Sequence, residues 1–130
     1  MKREDLQQVN AEVNALPYIA DAARYHQPDF WARVSTEGGD CEDFALGKLH
    51  RLHALGWSIA TLRLACVYVE TGEYHAVLFV QSGEFGEFVL DNRYPNVCSL
   101  EELQRVGYRP DRIQRAGGSR DWAEWRWETT

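Results

Sequence analysis

The stretch Gly38-Gly39-Asp40-Cys41-Glu42-Asp43-Phe44-Ala45-Leu46-Gly47-Lys48-Leu49 constrains this chain more than any other. Its two glycines permit a tight backbone path closed to other residues. Asp40 then stands where a helix N-cap stands, and Phe44, Ala45, Leu49 and Leu52 follow at helical spacing. This pattern predicts a helix from about Cys41 to Leu55, with Gly56 where a left-handed C-terminal glycine belongs. Cys41 is thereby at or beside the first helical residue. Unpaired N–H groups and the positive end of the helix dipole favour a thiolate there and can bind a developing oxyanion. A free cysteine is also a common small buried hydrophobe, so its role depends on what the rest of the chain brings to it.

The chain of 130 residues is the length of one domain, read as 1–130. Its 45% hydrophobic content and five tryptophans suffice for a modest core. A formal net charge of -6 and the lack of any basic run argue against nucleic acid as a partner. No apolar run approaches the roughly eighteen residues of a membrane span. The opening MKREDLQQVN lacks the apolar core of a signal peptide. That reads as a cytoplasmic protein as written, or a periplasmic one if a leader was removed. The three cysteines, Cys41, Cys66 and Cys98, include no CxxC pair, a weak signal for either disulfides or zinc.

Taken in order, Leu6, Val9, Val13 and Leu16 repeat at three and four over a first helix at 4–16, which Pro17 ends. Residues 18–31 are aromatic-rich and irregular, with a short helical turn expected near Pro28-Asp29-Phe30-Trp31. After the Cys41 helix, strands are expected at Leu62–Val69, Tyr74–Val80 and Glu87–Leu90, separated by short turns. Short turns make these three an antiparallel meander. Ser99-Leu100-Glu101-Glu102 is a capping-box pattern that opens a short helix over 100–106. Helices before and after the strands give an α+β class. Trp122, Trp125 and Trp127 in the tail suit a satellite core or a wall facing a substrate. His50 and His53 lie on one helix face and read as solvated, and Cys66 reads as core.

His75 begins the second strand and Asp91 ends the third. The two are equidistant from Gly83, close to the middle of the turn between them. Across an antiparallel hairpin they therefore face each other, or nearly so, with Cβ atoms roughly 5 Å apart. A carboxylate against an imidazole fixes the tautomer and stabilises the imidazolium of a general base. With Cys41 on its helix N-terminus, the residues compose a Cys-His-Asp set in the chain order of papain-like enzymes.

Gly39-Asp40-Cys41-Glu42-Asp43-Phe44-Ala45, His75-Ala76-Val77-Leu78 and Val89-Leu90-Asp91-Asn92 resemble the three signature blocks of the bacterial transglutaminase-like cysteine proteinases, the LapG-type proteases among them. Val13-Asn14 through Pro17-Tyr18 and the Phe30-Trp31 pair resemble that family's N-terminal region. The resemblance covers about residues 9–97. It implies a papain-like fold in which the helix bearing the nucleophile packs on an antiparallel sheet. Cys41 would be the nucleophile, His75 the base and Asp91 the orienter. It further implies calcium bound through the acids flanking the cysteine, here Asp40 and Glu42. Without the resemblance, acids at a helix N-terminus simply complement the dipole.

The expected activity is a cysteine protease that cleaves a peptide or amide bond through an acyl-enzyme, with a protein or peptide as partner. Two alternatives use the same residues. One is transglutaminase-type acyl transfer to an amine, and the other is an idle binding module that keeps the triad for structure.

Overall fold

A computed structural model describes residues 2–16, 41–83, 85–115 and 121–127. Helix α1 is Arg3–Asn14 and helix α2 is Cys41–Ala54. A 3₁₀ turn at Ile59–Thr61 leads into strand β1, Leu62–Tyr68, followed by β2, Tyr74–Ser82, and β3, Gly86–Leu90. Helix α3, Leu100–Arg105, precedes β4, Arg109–Gln114, and β5, Trp122–Glu124. All pairings are antiparallel, in the order β3-β2-β1-β4-β5.

Each element forms where its local chemistry directs. α2 ends at Gly56, whose φ of +100° is the left-handed conformation that suits glycine. The Ser99 hydroxyl accepts from Glu102 N at 3.1 Å while Glu102 accepts from Ser99 N at 3.0 Å, the reciprocal cap expected there. α1 buries Leu6, Val9 and Val13 along one face, and α2 buries Phe44, Ala45, Leu49 and Leu52.

The sheet separates two cores. On one side Leu62, Leu64, Leu78, Val80 and Leu90 meet α1, α2 and Trp57. On the other, Ala65, Val67, Val77, Phe79 and Val89 meet Leu103, Tyr108, Ile113 and Trp125. Each large apolar side chain buried this way contributes about 1.5–3 kcal/mol. Trp125 is buried and stacks on Phe79 at 5.2 Å between ring centroids, which makes it part of the satellite core.

β4 and β5 extend the sheet beyond the expected meander. Arg109-Pro110-Asp111-Arg112 does not read as a strand, because it carries a proline and three charges. The register explains how it is accommodated: Cys66 pairs with Arg112 and Val67 with Pro110, so Asp111 is the extra residue of a bulge. A bulge tolerates proline because the ladder is already interrupted there. Asp111 is put to use, since its carbonyl accepts from Trp125 N at 3.0 Å and its carboxylate from Tyr74 Oη at 2.5 Å.

The helical turn expected near Pro28-Asp29-Phe30-Trp31 lies outside the described residues. Among those described, no helix is long and apolar enough to cross a membrane.

Candidate active site

The site forms where the β2–β3 ladder runs out. That ladder ends at Leu78↔Leu90, so Asp91 follows the last paired residue of β3, while β2 continues back to Tyr74. The register is centred on position 84, one residue after the Gly83 midpoint of His75 and Asp91. Extended past the last pair, it sets Asp91 opposite Val77 and makes His75 its diagonal neighbour on the same face. Diagonal positions are about 7–8 Å apart at Cα, within reach of a long ring and a carboxylate. His75 Nε2 and Asp91 Oδ1 meet at 2.6 Å.

The early end of the ladder has a second effect. Ala76 has no β3 partner, and its N–H donates to Cys41 Sγ at 3.5 Å. Cys41 is the first residue of α2 and is half-buried. The N-terminus of α2 thus meets the start of β2, and a backbone donor addresses the sulfur. With Nε2 engaged by Asp91, Nδ1 is the imidazole nitrogen left to serve the thiol. Cys41, His75 and Asp91 are accordingly brought together.

Asp91 is fully buried, and its carboxylate is surrounded by hydrogen-bond donors. Oδ1 accepts from His75 and from Arg93 N at 2.9 Å, and Oδ2 accepts from Tyr108 Oη at 2.6 Å. Its own carbonyl accepts from Asn14 Nδ2 at 3.1 Å, which ties the site to α1. Burial opposes ionisation of this carboxyl, but the hydrogen bonds and the His75 charge outweigh it and hold the group below the usual carboxylate range. Burial would likewise lower His75. Its bond to Asp91 and its interactions with Cys41 prevail and raise the imidazole to about 9. The other two thiols are pushed up to about 11, chiefly by burial. Lys48, buried within α2, is pushed down to about 7 by desolvation, against the opposing pull of Asp91.

Tyr108 and Arg93 are partners of Asp91 that sequence reasoning missed. Neither falls in a recognisable block, and Tyr108 is joined to the site only by the turn after α3. Beside Asp91, Asn92 Oδ1 is buried and has no hydrogen-bond partner among the described residues, and it is Arg93 N that bonds the Asp91 carboxylate. His53 Nδ1 lies 3.0 Å from the Trp57 carbonyl beyond the end of α2.

A cleft of about 150 Å³ lined by Val69, Thr71, Glu73, Tyr74, His75 and Arg93 opens beside the imidazole. A larger cavity, about 590 Å³, is elsewhere, lined by Phe79, Ile113, Trp125 and Trp127 among others, and none of Cys41, His75 or Asp91 borders it. Of the expected calcium ligands, Asp40 lies outside the described residues and Glu42 is half-buried in the first turn of α2. Among the described residues, no three His, Cys, Asp or Glu side chains are grouped to hold a metal ion. A single carboxylate supplies at most two of the six to eight oxygens that calcium takes.

Residues 1–128 match the family of bacterial transglutaminase-like cysteine proteinases, BTLCP. The chain belongs to this family. Its fold is similar to that of LapG from Legionella pneumophila: one structure matches with a TM-score of 0.71 and 27% identity, over 89% of this chain and 66% of that one. The calcium-bound form of the same protein matches with a TM-score of 0.75 and 25% identity, over 98% of this chain and 72% of that one. An EGTA-treated form has a TM-score of 0.75 at 23% identity, over 98% of this chain and 69% of that one, a likeness of fold. This chain therefore spans about two thirds of the length of those LapG chains. No curated protein sequence matches. The helix-plus-antiparallel-sheet architecture is the transglutaminase-like, papain-like one that the family leads one to expect.

Proposed function

We propose that this member of the family is a thiol hydrolase that cleaves a peptide or related amide bond with Cys41 as nucleophile, His75 as acid and base, and Asp91 as orienter. The observation that carries the reading is the 2.6 Å bond from His75 Nε2 to buried Asp91, made where Cys41 Sγ takes the Ala76 N–H. Family membership supports a protein or peptide substrate.

The steps follow from the geometry. His75 takes the thiol proton from Cys41, and an imidazole raised to about 9 retains that proton at neutral pH. The sulfur attacks the carbonyl carbon, and the oxyanion forms beside the N-terminus of α2, where the helix dipole favours negative charge. His75 gives its proton to the leaving amine as the C–N bond breaks, and a thioester remains on Cys41. The neutral imidazole then takes a proton from water, whose oxygen attacks the thioester. As the C–S bond breaks, the acid product leaves and the thiolate–imidazolium pair is restored. Asp91 stays ionised throughout and holds the ring.

Calcium enters this reading as a structural ion. LapG has been described calcium-bound and EGTA-treated. By family analogy, Asp40 and Glu42 would contribute to a site beside Cys41 in this chain, with loop carbonyls and water completing the shell. Bound there, the ion would fix the segment leading into α2.

The test is mass spectrometry of a protein digest treated with wild type or with Cys41→Ala, in the presence of a labelled primary amine. New peptide termini that require Cys41 support hydrolysis. Incorporation of the amine without new termini identifies acyl transfer instead. Identical digests would leave the fold as a binding module.

A further inference from the structure

Asp91 depends on a chain of contacts that runs away from the triad to the protein surface. Among the described residues, the side-chain donor to its Oδ2 is Tyr108 Oη at 2.6 Å. That hydroxyl in turn accepts from Arg93 Nη1 at 2.9 Å. The Arg93 guanidinium also pairs with Glu70 through both nitrogens, one bond being 3.0 Å from Nη1 to Oε2. Its carbon sits 5.5 Å from the centre of the Tyr108 ring, and that ring meets His75 edge to face at 6.4 Å. The backbone of Arg93 completes the arrangement by donating to Oδ1.

Each link comes from a different part of the sequence. Glu70 is in the β1–β2 turn, Arg93 follows β3, and Tyr108 follows α3. Gly107 is needed for the last of these: its φ is +100°, and a Cβ there would stand 3.1 Å from Glu70 Cβ. Tyr108 is 3% exposed and Asp91 is 0% exposed, so solvent has no direct access to replace the Tyr108 donor.

We propose that Tyr108, held by the Arg93–Glu70 ion pair, is a positioning residue that locks the Asp91 carboxylate in the plane His75 needs and keeps it ionised. This deepens the triad reading and rests on it. An anion that loses a hydrogen-bond donor protonates at higher pH. The charged and titratable groups around Asp91 are His75 from β2, Arg93 from its own loop, Tyr108, Lys48 from α2, Cys98 from the loop before α3 and, through Arg93, Glu70. Of these, Tyr108 and His75 bond the carboxylate by side chains. Loss of the Tyr108 hydroxyl thus shifts protonation of Asp91 upward and leaves the His75 ring with a less firmly held partner.

The experiment uses iodoacetamide as the probe and follows its rate of reaction at Cys41 against pH by peptide mass spectrometry. Wild type, Tyr108→Phe and Glu70→Gln are compared, each with a thermal melt. Tyr108→Phe keeps the ring and removes the donor. We expect its acid limb to move up by about half a unit or more, with a smaller shift of the same sign for the half-exposed Glu70→Gln. A Tyr108→Phe profile that superimposes on wild type overturns the role of Tyr108. A Glu70→Gln profile on that of wild type overturns the part given to the ion pair, and decides the matter if Tyr108→Phe does not fold. If wild-type Cys41 reacts as slowly as Cys66 and Cys98 at every pH, the triad reading itself fails, an outcome distinct from both.

Discussion

His75 and Asp91 are diagonal neighbours across the β2–β3 hairpin, and their side chains close the gap to 2.6 Å. The offset matters. A carboxylate directly opposite His75 would sit further along the loop after β3. One residue pair earlier, Asp91 leaves the ladder while still anchored by it, with Asn14 of α1 gripping its carbonyl. Asp91 is therefore fixed at its backbone from two sides before any side-chain bond is made. Such prior fixing suits the orienting role proposed for it.

Asp91→Asn tests that role. The amide preserves size and burial but cannot fix the same tautomer or balance the imidazolium. Turnover should fall on the order of 10³–10⁴-fold, with the circular dichroism spectrum unchanged. Turnover within a few-fold of wild type would assign the orienting role to another group.

Much of this arrangement was legible in the chain itself. The α2 start, the three meander strands, the Gly56 and Ser99 caps and the closeness of His75 to Asp91 all follow from local patterns. What escaped depends on tertiary context. β4 hides behind Pro110 and three charges because its bulge removes the usual demand for alternation. Tyr108 looks like any loop tyrosine until the fold carries it across to Asp91. The hairpin pairing differs by two residues, Asp91 falling opposite Val77 rather than His75, because turn composition alone does not say which residues of the turn pair.

Thiol reactivity separates the three cysteines. Cys41 takes a backbone N–H at its sulfur and neighbours His75, whereas burial pushes Cys66 and Cys98 up to about 11. Iodoacetamide at pH 6 should label Cys41 at least tenfold faster than either. Equal rates on the folded protein would remove Cys41 as the nucleophile.

Stability should vary with pH in two opposing ways. His75 is raised from 6.5 to about 9, so its contribution is full below 6.5 and is lost as pH climbs to 9. Lys48 is lowered from 10.5 to about 7, so its burial is costly below 7 and the cost fades as pH climbs toward 10.5. Lys48→Met removes only the second effect. At pH 6 it should raise stability by about 1–4 kcal/mol, and between pH 7 and 9 denaturant midpoints should decline more steeply than in wild type. A variant that is less stable than wild type at pH 6 would mean that the buried ammonium holds the α2 interior together.

Calcium dependence is the remaining expectation. A divalent ion bound by Asp40 and Glu42 stabilises only the folded chain, so mass action raises the melting temperature with ion concentration. At 100-fold excess over the dissociation constant the gain is about 2.7 kcal/mol, enough to move the melt by several degrees in a domain of this size. Melts in excess calcium and in EGTA should therefore differ for wild type, and Asp40→Asn and Glu42→Gln should each narrow the difference. The activity of wild type should fall in EGTA in parallel if the proposed ion supports Cys41. Coincident melts in the two buffers would leave Glu42 and Asp43 as partners of the helix dipole, each worth about 0.3–1 kcal/mol, and Asp40 as a cap.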